Sequence, residues 1–155
     1  MGDAGGQHTL AELLDLDAIN LDARADSKEA AVRACGETLV RIGAVEATYV
    51  EAMLEREQQI STYVGEGVAI PHGTLAGKQA VVRDALCYLR FADPIDWGGK
   101  EVTVCVGIAA AGNGHVEVLA ALAQVLVNPD QAQALRDAQR PEDVLQVLRP
   151  TEEEA

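Results

Sequence analysis

Val102-Thr-Val-Cys-Val-Gly-Ile-Ala109 is the stretch that settles the fold class. Val102, Val104, Val106 and Ile108 alternate with Thr103, Cys105, Gly107 and Ala109, and neither set carries a charge. Alternation with two uncharged faces describes a central strand covered on both sides, not a strand with one face in water. The chain runs on through Ala110-Ala-Gly-Asn-Gly114 into a helix expected from about His115. There Val118, Leu119, Leu122, Val125 and Leu126 recur at i, i+1, i+4, i+7 and i+8, the stripe of an amphipathic helix. A covered strand leading into such a helix implies an α/β domain with helices on both faces of a sheet.

The flanking sequence agrees. Ala85 to Phe91 alternates Ala85, Cys87, Leu89 and Phe91 against Leu86, Tyr88 and Arg90, a second strand. Thr62-Tyr-Val64 and Val68-Ala-Ile70 read as two short strands around a glycine turn. Asp26 or Ser27 can cap a helix, with Glu29 as the reciprocal partner of Asp26. Val32, Cys35, Leu39 and Ile42 keep helical spacing until Gly43 stops it. A second helix is expected over about Thr48 to Gln58, burying Val50, Met53 and Leu54. Nearer the N-terminus, Thr9-Leu-Ala-Glu12 reads as a capping box opening a short helix through Leu14, and Ala18-Ile19-Asn20-Leu21 as a brief strand. Asn128-Pro129 ends the long helix, and short helices are expected near Asp130–Ala138 and Pro141–Leu148. The expected organisation is one domain over residues 9–149, between a disordered 1–8 and an acidic, disordered tail at 150–155.

Composition narrows the function. The chain has 155 residues, enough for one domain with a sizeable core. Apolar residues make up 48% but aromatic ones only 3%, so Ala, Val, Leu and Ile must fill the interior. The net charge is −13 and no Lys/Arg cluster occurs, which argues against nucleic acid and anionic membrane as partners. No apolar run approaches the ~20 residues of a membrane span. No secretory signal is read at Met1-Gly-Asp-Ala-Gly-Gly, so no membrane insertion is expected. Cys35, Cys87 and Cys105 each lie in an apolar pattern, which points to reduced, buried thiols in a cytoplasmic protein.

The chemistry concentrates in Gly65-Glu-Gly-Val-Ala-Ile-Pro-His-Gly-Thr74. Pro71 fixes its own φ, lacks an N–H and biases Ile70 toward extended geometry, so the strand should stop there. His72 is then expected as an exposed, positioned ring, with Gly73 relieving crowding on its other side. His115 follows Gly112-Asn-Gly114 in the first turn of the amphipathic helix, where N–H groups favour an anion. Arg56 sits near the end of the second helix, and its planar fork could clamp a phosphate if the chain folds back. His8 has no assigned role.

Three readings compete on these residues. His72 can accept a phosphoryl group while Arg56, His115 and a helix N-terminus offset the charge. Alternatively, His72 and His115 hold a metal with Glu117, although Cys87 and Cys105 lack the spacing of a zinc deaminase. Or the domain is a regulatory binding module without turnover.

Tyr63-Val-Gly-Glu-Gly-Val-Ala-Ile-Pro-His-Gly-Thr74 resembles the active-site segment of the enzyme IIA components of the phosphoenolpyruvate-dependent sugar phosphotransferase system, fructose/mannitol type. Tyr49-Val-Glu-Ala-Met-Leu-Glu-Arg-Glu57 and Val106-Gly-Ile-Ala-Ala-Ala-Gly-Asn-Gly-His-Val-Glu-Val118 match two further motifs in the right order. The likeness runs from about Ala11 to Leu148 and is closest to the mannitol branch, with fructose-type and nitrogen-regulatory members as the alternative.

The resemblance implies a single α/β domain with a mixed five-stranded sheet. It implies that His72 is phosphorylated through Nε2, that Arg56 binds phosphate, and that His115 is the second active-site histidine. It further implies the phosphocarrier HPr as donor, a cysteine of enzyme IIB as acceptor, a separate membrane IIC, and no metal or cofactor.

Overall fold

The computed structural model of the chain describes residues 10–111 and 114–149, with side chains described except at 114–116. The expectations for residues 1–8 and 150–155, and the cap by Thr9, lie outside the described residues.

Five strands form one mixed sheet: β1 (Leu14–Ala23), β2 (Tyr63–Gly65), β3 (Val68–Ala69), β4 (Ala85–Asp96) and β5 (Glu101–Ala109). Their order across the sheet is β1-β4-β5-β3-β2. β1 runs parallel to β4, β4 antiparallel to β5, β5 parallel to β3, and β3 antiparallel to β2. The expected mixed five-stranded α/β sheet is therefore present, and Val102–Ala109 lies at its centre.

The helices are α1 (Lys28–Arg41), α2 (Thr48–Gln59), α3 (Gly114–Leu126), α4 (Pro129–Arg136) and α5 (Pro141–Leu148), with 3-10 turns at Ala11–Leu13 and Ala76–Ala80. The alternation in β4 distributes side chains to both layers. Cys87 points to α1, where its Sγ donates to the Cys35 carbonyl at 3.6 Å. Tyr88 points the other way and donates to the Leu135 carbonyl of α4 at 2.6 Å. Arg90 shares the Tyr88 face and donates to the Arg136 and Ala138 carbonyls. Both sheet faces are covered, as the uncharged central strand demanded.

Local signals explain the boundaries. Ser27, not Asp26, caps α1, accepting from Ala30 N at 3.1 Å. Gly43 sits at φ 79°, with Gly43 N bonded to Val40 O and Ala44 N to Leu39 O, both at 2.9 Å. That pair of bonds is a Schellman stop and needs the left-handed residue. β4 and β5 meet at a tight hairpin in which Gly98 and Gly99 take φ 67° and 95° between the paired Trp97 and Lys100.

Several elements differ from expectation. The first strand starts at Leu14, not Ala18, and a 3-10 turn replaces the helix through Leu14. β1 is an edge strand, so Asp15, Asp17 and Asp22 can face solvent along it, and charges on an edge discourage further pairing. β4 continues to Asp96, past a register slip in which Phe91–Pro94 stand opposite Thr103 alone. Pro94 cannot donate to a ladder, so a bulge is where it fits. α4 begins at Pro129, one residue before the expected Asp130, because Asn128 caps it by accepting from Asp130 N and Gln131 N.

Candidate functional site

β3 ends one residue before Ile70, and the chain continues beside β5 without a regular ladder. Ile108 N donates to the Pro71 carbonyl at 2.9 Å, and His72 pairs with Ile108 in an isolated parallel bridge. The His72 ring folds back on its own strand end, with Nδ1 2.7 Å from the Ile70 carbonyl oxygen. A carbonyl oxygen only accepts, so Nδ1 carries a proton, and in the neutral ring the lone pair is on Nε2. A neighbouring carbonyl thus selects one tautomer, as a nucleophilic imidazole requires.

The expectation of an exposed ring is corrected: His72 is buried, with 4% of its surface exposed. The role of Gly73 is corrected with it. A Cβ there would lie 2.6 Å from Tyr49 Cε1 and 2.8 Å from Cζ, so the space it leaves is taken by the Tyr49 ring. Gly73 N donates to the Tyr49 hydroxyl at 2.9 Å, and that hydroxyl donates to the Ile108 carbonyl at 2.9 Å. Burial raises the Tyr49 pKa above its ordinary value, so the hydroxyl stays protonated and able to donate.

Arg56, in the last turn of α2, donates from Nη1 to the Ile60 carbonyl at 2.6 Å. It lines an open cavity of about 460 Å³ together with Glu55, Gln59, Gly73, Thr74, Leu75 and Ala76. The structure therefore brings Arg56 to the residues that directly follow His72. His115 belongs to the first turn of α3, whose strand, β5, bridges to His72. Its side chain lies outside the described residues.

Sequence reasoning missed Glu57, which is buried at 5% exposure. Its Oε2 accepts from Thr62 N at 3.0 Å and Trp97 Nε1 at 2.9 Å, and its Oε1 from the Thr62 hydroxyl at 2.5 Å. The signal was available, because Glu57 continues the Val50–Met53 stripe of α2 at helical spacing. One carboxylate thereby ties the end of α2, the start of β2 and the β4–β5 hairpin together beside Arg56.

The three cysteines, distant in sequence, are buried free thiols; Cys35 and Cys87 meet over Gly107, and Cys105 bonds with Cys35. Hydrogen bonding with Cys105, together with burial, raises the Cys35 thiol well above its ordinary pKa. Bonding with Cys35 and burial do the same to Cys87, so these two thiols are protonated packing groups rather than nucleophiles.

The helix-covered mixed sheet thus holds His72 at a strand end and places Arg56 at a cavity lined by the residues that follow the histidine. The chain matches the model of the family "Phosphoenolpyruvate-dependent sugar phosphotransferase system, EIIA 2" over residues 12–150, and it belongs to that family. It is thus a phosphotransferase component. It is 40% identical over 136 residues to the mannitol-specific phosphotransferase enzyme IIA component of Halalkalibacterium halodurans, covering 88% of this chain and 94% of that protein. It is 38% identical over 133 residues to the mannitol-specific EIICBA component of Pasteurella multocida, covering 83% of this chain and 21% of that longer protein. Among solved structures, the complex of enzyme IIAMtl with phosphorylated enzyme IIBMtl from Escherichia coli matches at TM-score 0.80 and 33% identity, covering 88% of this chain and 98% of that one.

Proposed function

We propose that this chain is the phosphocarrier of a mannitol uptake system. It accepts a phosphoryl group from HPr on Nε2 of His72 and passes it to a cysteine of enzyme IIB, which serves a membrane IIC. The observation that carries the proposal is the Nδ1 contact with the Ile70 carbonyl, which puts the nucleophilic lone pair on Nε2. Relatives named for mannitol, one of them a fusion of IIC, IIB and IIA, support the sugar and the partners over the fructose or nitrogen-regulatory alternative. Among the described residues no helix is long and apolar enough to cross a membrane, and a cytoplasmic location follows from the partners.

In the forward step, Nε2 attacks phosphorus in line, a nitrogen–phosphorus bond forms and the donor's bond to phosphorus breaks. The Nδ1–H bond to Ile70 stabilises the positive charge the ring acquires. Arg56, which lines the cavity beside Gly73 and Thr74, leaves the Ile60 carbonyl and offsets the charge on the equatorial oxygens. His115, at the start of α3, is assigned the same electrostatic role. In the second step the acceptor thiolate attacks the same phosphorus and the ring returns to its neutral tautomer. No cofactor enters either step.

The test is transfer itself. With phosphorylated HPr as donor, the chain is expected to load a mannitol IIB and not a fructose IIB. His72→Ala should abolish loading, and Arg56→Gln should slow it by about a hundredfold. Loading of the fructose IIB at an equal rate would contradict the mannitol assignment.

A further inference from the structure

We infer that Tyr49 is a positioning residue for phosphoryl transfer, acting through the two peptides that flank His72. The inference rests on the reading of His72 as the phosphoryl acceptor.

A parallel bridge between His72 and Ile108 calls for two backbone bonds, one to each side of the histidine. One is direct, from Ile108 N to the Pro71 carbonyl at 2.9 Å. The other is relayed. Gly73 N donates to the Tyr49 hydroxyl, and the hydroxyl donates onward to the Ile108 carbonyl, each at 2.9 Å. The phenol therefore stands in the ladder as a spacer that sets how far the chain after His72 lies from β5. Both polar groups of Ile108 and both peptides around His72 are held by this one arrangement.

The packing makes the spacer rigid. Tyr49 is 3% exposed and sits in the first turn of α2, the helix that also carries Arg56. Its ring fills the space that a side chain at position 73 would occupy. Movement of α2 is thereby transmitted to the backbone at Gly73, and the arginine and the histidine of the site share one anchor. A ring that merely filled the core would need no hydroxyl here. The hydroxyl makes both available bonds, one as acceptor and one as donor, and both are to backbone at the site.

Tyr49→Phe keeps the ring and removes the spacer bonds. In a phosphoryl-uptake assay with phosphorylated HPr, kcat is expected to fall about ten- to a hundredfold while KM for the donor stays within about twofold. A kcat per folded molecule within twofold of the unsubstituted chain overturns the inference. Should the phenylalanine chain fail to fold, difluorotyrosine incorporated at position 49 preserves the bonds at neutral pH but ionises more easily. Its rate should fall at lower alkaline pH than that of the unsubstituted chain, since a phenolate cannot donate to Ile108. An unchanged alkaline limb overturns the inference. An unsubstituted chain that takes no phosphate on His72 overturns the acceptor reading and this inference together.

Discussion

Replacing Glu57 by glutamine and by alanine should have very different costs, and the hydrogen-bond inventory says why. The carboxylate receives three bonds: Thr62 N and Trp97 Nε1 at Oε2, and the Thr62 hydroxyl at Oε1. A glutamine oriented with its carbonyl at the Oε2 position still accepts from both nitrogens. Its amide then sits where Oε1 was and donates to the Thr62 hydroxyl, which accepts instead of donating. Both N–H donors keep their acceptor and only the Thr62 hydroxyl proton gives up its bond to Oε1, so with the lost charge assistance the cost is about 1–2 kcal/mol. Alanine leaves the Thr62 and Trp97 N–H groups buried without acceptors at about 1–3 kcal/mol each, so about 3–5 kcal/mol is expected in all. At this chain length 1 kcal/mol corresponds to about 2–4 °C in Tm, which separates the two variants clearly. Urea denaturation at neutral pH, with the slope checked for constancy, measures both. If Glu57→Gln costs as much as Glu57→Ala, the bonds are not what Glu57 contributes and the inventory is wrong.

Two further outcomes follow from the core. Gly107→Ala places a Cβ 2.6 Å from Cys87 Sγ and 3.0 Å from Cys35 Cβ, and should destabilise by about 1–3 kcal/mol. Adding Cys87→Ala removes the nearest atom, so the double variant should be less destabilised than the sum of the singles; strict additivity would refute the contact. Stability should also fall in alkali. Burial pushes Tyr88 from its ordinary 10 to about 12, so the neutral phenol's contribution is full below pH 10 and is lost as pH rises toward 12. Cys35 and Cys87 are also raised from 9, so the decline should begin above pH 9. Tyr88→Phe should lower the urea midpoint at pH 8, because its bond to Leu135 is lost, yet flatten the fall above pH 10. An equally steep fall would contradict the assignment.

The parts of the fold that rest on short-range pattern were legible. Two uncharged faces in Val102–Ala109 announced a covered strand, and Gly43 announced a helix stop. His72 was read at a strand end from Pro71 alone. The extent of β1 was not legible, because its aspartates lower strand propensity and only its place at the sheet edge makes them acceptable. The long-range pairs were hidden for a different reason. Gly73 needs no side chain because Tyr49 arrives from 24 positions away, and no local pattern encodes that approach. The same holds for Cys35 and Cys87, brought together only when α1 lies across β4. Glu57 is an intermediate case, since its place on an apolar helical stripe marked it as buried, but Trp97 as its partner could only be seen in three dimensions.

The central claim is that His72 carries the phosphoryl group on Nε2. Its most direct test is long-range ¹H–¹⁵N and ³¹P NMR of the chain after incubation with phosphoenolpyruvate, enzyme I and HPr. The account predicts one acid-labile phosphate, coupled to Nε2 of His72, with Nδ1 still protonated against the Ile70 carbonyl. A phosphate on Nδ1, on another residue, or one that persists in His72→Ala would contradict it.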